Sequence, residues 1–268
     1  LTADVVTEYI FPESFGFLST SDLAPGWRRL LDQNLRASNF LKHYPIMWSI
    51  IRCIPDSVLL GIAPSLRDTI KWERTNQKVS KTIVDNYNPK DSLHGKKTIF
   101  HELLASDLPP KEKTYERLWQ EASSLVGAGT ETTANTLTVL MYYLIADPRI
   151  MKRLKAELLG AIPDPNTIPK ELDLERLPYL SAVISEGLHK SNGVSNRLTR
   201  VATNTDLKYK SYIIPKGTAV SMNTMSLQQD ARVFPDPKPF KPERWLGEKT
   251  RGDLFCWSRG RRTCLGIK

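Results

Sequence analysis

The feature that most constrains this chain is an uninterrupted helical run at 111–146, opened by Pro109-Pro110 and closed by Asp147-Pro148. A helix of that length spans about 50 Å, enough to cross a large domain. Near its middle stands Gly127-Ala-Gly-Thr-Glu-Thr-Thr-Ala134. A glycine inside a helix costs about 1 kcal/mol relative to alanine, so something should require two of them. No Gly-Lys-Ser/Thr follows, so this is not a phosphate-binding loop. Thr132 stands where a dinucleotide fingerprint needs its third glycine, and no strand precedes it. On a helix, Ala128 and Gly129 share a face with Thr132, which leaves a bare backbone patch beside a hydroxyl, with the Glu131 carboxylate adjacent. A flat group could lie there. The alternative is close helix–helix packing through small residues, which these positions taken alone favour.

Around this run the chain reads as mostly helical. Trp27, Leu30, Leu31 and Leu35 mark a helix over 24–41, and Ile70, Val79 and Ile83 mark another over 65–86. A polar loop is expected at 87–97, a short helix at 148–159 and a further helix at 178–190. After Gly193 the pattern changes. Val201, Leu207, Tyr209, Tyr212, Ile213 and Ile214 lie in short segments broken by Pro215-Lys216-Gly217, which predicts a small β-sheet. From Phe234 onward, proline and basic residues predict coil. The fold class is therefore mainly α with a small β portion.

Composition narrows the function. With 40% hydrophobic residues, 6 Trp and 9 Tyr, the chain is not a disordered segment. Its 268 residues allow one large domain or two small ones. The cysteines at 53, 256 and 264 show neither zinc-ligand spacing nor a disulfide framework, and a reducing context is the simpler expectation. The start, Leu1-Thr-Ala-Asp, has no signal-peptide pattern. The most apolar stretch, 44–63, is broken by Pro45, Arg52, Pro55 and Asp56, so it does not make the roughly 20-residue apolar helix of a bilayer span. Two short helices split at Pro55 are expected. They either pack in a core, which the residues alone favour, or lie on a membrane surface with Trp48 and Arg52 at headgroup level.

The second concentration of chemistry is Trp257-Ser-Arg-Gly-Arg-Arg-Thr-Cys-Leu-Gly266. Gly260 and Gly266 flank Cys264, allowing a tight turn and close approach of backbone to a planar ligand. Arg259, Arg261 and Arg262 suit carboxylates or phosphates and favour a thiolate at Cys264. The net charge of +9 leaves open a basic nucleic-acid-binding patch. The basic residues form one short cluster without interleaved aromatics, which weakens that alternative.

Together these motifs resemble the haem-thiolate monooxygenases, the cytochrome P-450 family, and most of all its fungal secondary-metabolism members. Four markers occur in the family's order: AGTETT at 128–133, Glu186-Gly-Leu-His189, Pro242-Glu-Arg-Trp245, and WSRGRRTCLG at 257–266. The resemblance covers essentially the whole chain. It implies a partial domain over 1–268, from the helical F–G region to the haem-binding loop, lacking the N-terminal third or more and the helix that backs the haem. It also moves the expectation for 44–63 toward the membrane surface.

The resemblance further implies haem b with Cys264 as axial thiolate and metal ligand, and a cofactor site that includes Trp257, Gly260, Gly266, Ala128 and Gly129. Arg262 and Arg197 are the implied partners of the haem propionates. Thr132 and Glu131 are the implied catalytic pair, placing a hydroxyl on the bound oxygen and delivering protons. The implied reaction inserts one oxygen of O2 into a lipophilic small molecule. Electrons come from NADPH through NADPH–cytochrome P-450 reductase, and the full-length parent sits on the cytosolic face of the endoplasmic reticulum membrane. No nucleic-acid partner is implied.

Glu186, His189, Glu243 and Arg244 occupy the positions of the family's buried ion network. This chain departs from that pattern at His189, where the family has arginine, and at Trp257, where it has phenylalanine. The interval 246–256 is also short. A histidine lacks the five-donor fork of arginine, so Glu186 and Arg244 are expected to be imperfectly paired, at a cost of about 3 kcal/mol or more. His189→Arg is accordingly expected to improve haem retention. The alternative is a truncated, inactive remnant of the family, exposing core surface and prone to aggregation.

Overall fold

The computed structural model describes residues 1–88, 98–164, 166–247 and 254–267. Most of the expected polar loop at 87–97, and the centre of the short 246–256 interval, lie outside the described residues. The chain divides into two compact units, Leu1–Glu131 and Thr132–Lys268.

The first unit contains α1 (Thr2–Ile10), α2 (Pro25–Leu41), α3 (Pro45–Cys53), α4 (Asp56–Ile62), α5 (Arg67–Asp85), α6 (Ile99–Ala105) and the first half of α7 (Tyr115–Ala146). Leu118, Ala122 and Val126 recur every four residues on α7, so they fall in one stripe. That stripe forms a core with Ile10, Phe11 and Phe100, and Trp27, Trp72 and Val79 pack against it. The chain reversal after α1 is held by that helix's own polar side chains. The Asp4 carboxylate accepts the amides of Phe17 and Leu18 at 2.8 and 2.7 Å, and the Thr7 hydroxyl accepts that of Phe15 at 3.2 Å. α7 begins at Tyr115, because Pro110 first winds a 3-10 turn over Pro110–Glu112.

The 44–63 segment does break at Pro55 into two helices, bent by 115°. The core placement that its residues alone favoured is overturned, since neither α3 nor α4 contains a buried residue. Ile46 and Ile62 are 70% and 74% exposed, with Trp48 and Ile50 exposed beside them. Among the described residues no single helix is long and apolar enough to cross a membrane.

The second unit contains the rest of α7, then α8 (Pro148–Ala161), α9 (Glu171–Glu175), α10 (Pro178–Ser191), β1 (Arg200–Val201), β2 (Leu207–Tyr209), β3 (Tyr212–Ile214), β4 (Ala219–Val220) and α11 (Thr224–Gln228). Asp147 caps α8 through the Arg149 amide, with Pro148 at the first helical position. Leu144, Ile150, Leu154, Tyr179 and Val183 form the core. The Glu157 carboxylate accepts the Tyr179 and Leu180 amides at 2.9 and 2.8 Å, satisfying two free donors at the positive end of α10. In place of one small sheet there are two separate antiparallel pairs, β1 with β4 and β2 with β3. Lys210, at φ +54°, turns β2 directly back into β3, which closes the pair on itself.

Gly187 on α10 is required by packing. A Cβ there would meet Leu140 Cδ1 at 2.8 Å and Leu140 Cβ at 3.2 Å. The Leu140 Cβ cannot rotate away, so Gly187→Ala sets an overpacking cost of about 1–3 kcal/mol against a helix gain of about 1 kcal/mol. A lower urea midpoint at unchanged slope is expected. A raised midpoint would refute the packing argument.

Candidate functional site

The most completely bonded buried polar group among the described residues is the carboxylate of Glu186, on the face of α10 turned to the core. Its Oε1 accepts the Lys241 amide at 2.8 Å. Its Oε2 accepts Arg244 Nε at 3.0 Å and the Trp245 indole Nε1 at 2.6 Å. Glu186 and Arg244 side chains are 0% and 6% exposed. Arg244 spends its other donors on the carbonyls of Pro235 and Asp236, at 2.6 and 2.8 Å, which clamps the proline-rich coil. Burial pushes the Glu186 carboxyl pKa up. The His189 ring, the Lys241 amide, the Trp245 indole and the Arg244 charge together reverse that and hold it below the usual value.

This arrangement corrects the expectation of an imperfect pair. Glu186 and Arg244 are both well bonded without an arginine at 189, because Trp245 supplies a donor and backbone groups supply the rest. His189 is fully buried with its Nδ1 3.5 Å from Glu186 Oε2, beyond hydrogen-bond range for a strong bond. Its Nε2 lies 2.8 Å from the Gln228 carbonyl, which can only accept, so Nε2 carries a proton. The Phe234 ring lies 4.6 Å from the imidazole ring. His189 thus ties α10 to α11. The basis for expecting His189→Arg to help is weakened, since Glu186 already accepts three hydrogen bonds without it. Glu243 stands outside this group. It pairs on the surface with Arg153 at 3.0 Å and accepts the Tyr179 hydroxyl at 3.3 Å. Trp245 and Gln228 are the functional positions that single-residue reasoning missed. The tryptophan was legible as part of the Pro-Glu-Arg-Trp motif, but nothing in sequence marked its indole as a donor.

The cysteine loop follows in the same unit. Leu254 packs against the cluster of Ala182, Phe234 and Trp245. The backbone then turns through Ser258 at φ +62° and Gly260 at φ +80°. Only glycine adopts the second of these without strain, and nothing lies within 4 Å of where its Cβ would be. A 3-10 turn over Gly260–Arg262 returns the chain, and the Cys264 amide donates to the Trp257 carbonyl at 2.9 Å. Cys264 is exposed at the end of this turn, with Arg259, Gly260, Arg261, Arg262 and Gly266 also exposed and Trp257 half-buried. The Arg259 guanidinium lies 4.2 Å from the Phe255 ring. Cys256 differs from Cys264. Its thiol is pushed up to about 12, first by burial, and so stays protonated. Arg197 is exposed on the segment before β1.

On α7, Gly129 belongs to the first unit, and packing explains it: a Cβ there would lie 2.8 Å from Val6 Cγ2 of α1. Ala128 is exposed, and Glu131 is half-buried. Thr132, the first residue of the second unit, is also half-buried, and its carbonyl accepts the Thr136 hydroxyl at 3.0 Å.

The donor set is informative in itself. Among the described residues no three His, Cys, Asp or Glu side chains converge as a metal cage. One exposed soft thiol with arginines around it fits a metal held mainly by its own macrocycle, and does not fit zinc held by protein side chains alone. Comparison with known proteins agrees. The cytochrome P-450 family model matches residues 1–268.

The chain belongs to the cytochrome P-450 family.

Relatives of this P-450 chain include cytochrome P-450 monooxygenase tpcC of Cochliobolus heterostrophus, 36% identical over 100% of this chain and 52% of its own length. Another is cytochrome P-450 monooxygenase sdnE of Sordaria araneosa, 37% identical over 98% and 54%. A third is tryptophan 6-hydroxylase fscE of Fusarium equiseti, 36% identical over 99% and 53%. The chain therefore spans about half the length of the relatives it matches. A crystal structure of a cytochrome P-450 superposes with a TM-score of 0.73 at 19% identity, over 99% of this chain and 56% of that one, which supports the fold.

Proposed function

We propose that this chain carries the haem-thiolate half of a monooxygenase that inserts one oxygen of O2 into a lipophilic small molecule. The observation that carries the reading is the exposed Cys264 thiol on a turn fixed by its own amide, flanked by Arg259, Arg261 and Arg262. When bound, haem supplies the activation of O2. The chain's own residues do the rest. Cys264 Sγ is the protein ligand, and the high value of the Cys256 thiol keeps that neighbour from competing. Arg262 and Arg197 offer guanidinium forks to two propionate carboxylates. On α7, Thr132 offers a hydroxyl to the bound oxygen, and Glu131 a carboxylate that helps deliver protons through water. The Glu186 group fixes the turn Pro242–Trp245, and Leu254, ahead of the loop, packs against the Trp245 cluster.

The proposal extends to electrons from NADPH through a flavoprotein reductase, to a substrate of secondary metabolism, and to the cytosolic face of the endoplasmic reticulum. α3 and α4 support a membrane contact, because both present apolar side chains without burying any. Binding to neutral phospholipid vesicles is expected to weaken at least tenfold in Trp48→Asp with Ile50→Asp, by sedimentation. Equal binding would remove the membrane role of these helices. The inactive-remnant reading loses the support that rested on an imperfect Glu186–Arg244 pair, and keeps that of a chain spanning about half of its relatives' length. The basic residues at 259–262 remain one local cluster, which does not favour nucleic acid.

The test of the main reading is spectroscopic. The chain is supplied with haem, reduced and exposed to carbon monoxide. A red-shifted Soret band of thiolate-ligated haem is expected, and a failure to take up haem would overturn the claim for this chain.

A further inference from the structure

We infer that α5 and α7 enclose a hydration site in the first unit, where ordered water binds the buried side chains of Asn76 and Ser80. Trp72, Asn76 and Ser80 recur every four residues on α5, so they form one stripe with neighbouring side chains about 5–6 Å apart. The stripe faces the core. Trp72 and Val79 pack against the cluster that contains Leu118, Ala122 and Val126 of α7. Between them, Asn76 Nδ2 donates to Ser123 Oγ of α7 at 3.0 Å. Asn76 and Ser80 have no exposed surface.

A helix face turned to a core is ordinarily apolar, and this one is polar. Among the described residues, Asn76 Oδ1, Ser80 Oγ and Trp72 Nε1 are covered from solvent and have no hydrogen-bond partner in the protein. Turning the Asn76 amide over exchanges its two polar atoms and still leaves one of them unbonded. A buried amide or hydroxyl without a partner is costly, and native interiors meet that need with bound water. The spacing suits one. Two hydrogen bonds of about 2.8 Å reach about 5.6 Å, so a single water spans two groups one helical turn apart. The Ser80 hydroxyl donates and accepts, and the Asn76 oxygen accepts, so a water between them is bonded at both ends. Trp72 Nε1, one turn earlier, is the donor for a second water. All three groups are uncharged, which suits water and does not suit an ion. The Asn76–Ser123 bond and the bridging water then hold α5 on α7 at one register, as a polar pair does within an apolar helix interface.

The urea midpoint of Ser80→Ala in the full chain tells a dry hydroxyl from a hydrated one. Removing a dry, unbonded hydroxyl raises the midpoint, whereas removing one that holds water lowers it. A fall of about 0.3–0.5 M is expected, one net hydrogen bond at a typical slope. The same substitution is then made in Asn76→Leu, where leucine fills a similar volume and offers the water no acceptor. There the fall is expected to shrink to less than half, or to reverse. A raised or unchanged midpoint in Ser80→Ala overturns the inference, and so does a fall that keeps more than half its size in Asn76→Leu. Should Asn76→Leu fail to fold by far-ultraviolet circular dichroism, Asn76→Ala gives the same comparison, and if neither folds the direction of the Ser80→Ala shift decides alone.

Discussion

Glu186→Gln is expected to destabilise the second unit by about 3–5 kcal/mol, the usual cost of breaking a buried ion pair by removing one charge. The substitution is nearly isosteric, so the cost is not a cavity. It leaves Arg244, 6% exposed, without its counter-charge. It also turns an amide NH2 either toward the Arg244 and Trp245 donors, which share Oε2, or toward the Lys241 amide at Oε1, all of which need an acceptor. Typical domains are stable by about 5–15 kcal/mol, so the loss takes about a fifth or more of the total. The effect has a pH signature. Because the Glu186 carboxyl is lowered in the folded state, its contribution is full above the unfolded value of about 4.3 and disappears as pH falls through the lowered folded value. Parent and variant should therefore converge in stability in acid and diverge toward neutral pH in urea melts. A difference below about 1 kcal/mol at neutral pH would show that the carboxylate does not organise this unit.

Cys264→Ala is expected to abolish the red-shifted Soret band of the reduced carbon monoxide complex completely. No other described thiol can take its place: the half-buried Cys256 thiol is pushed up to about 12, and Cys53 lies in the other unit. The fold should be unaffected, since Cys264 is exposed and its structural bond runs through the backbone amide, which alanine keeps. Circular dichroism and the urea midpoint should match the parent within about 0.5 kcal/mol, the range of surface substitutions. Retention of the thiolate band in the variant would mean that Cys264 is not the ligand.

The long helix, its closing Asp147-Pro148 signal and the break at Pro55 were legible because each depends on neighbours in sequence. α1, α6, α9 and α11 escaped the periodicity argument. Three of these are five or seven residues long, too short to show a period, and α1 was not distinguished from its surroundings. The surface position of α3 and α4 was not legible from residue type, since an apolar helix looks the same whether or not something covers it. The division of labour around Glu186 was hidden for a related reason. Sequence shows that His189 is not arginine, but not that the Trp245 indole and the Lys241 amide, over fifty residues away, reach the same carboxylate.

By itself, then, the sequence determined the family and the helical class, because those rest on residue type and order along the chain. Tertiary structure alone decided that Gly129 packs against Val6, that Glu243 stands at the surface, and that Glu186 accepts three hydrogen bonds without an arginine at 189. The physical reason is common to all three. Whether a buried charge or a missing side chain costs or stabilises depends on what the fold places within about 3 Å of it, and that distance is set between segments remote in sequence.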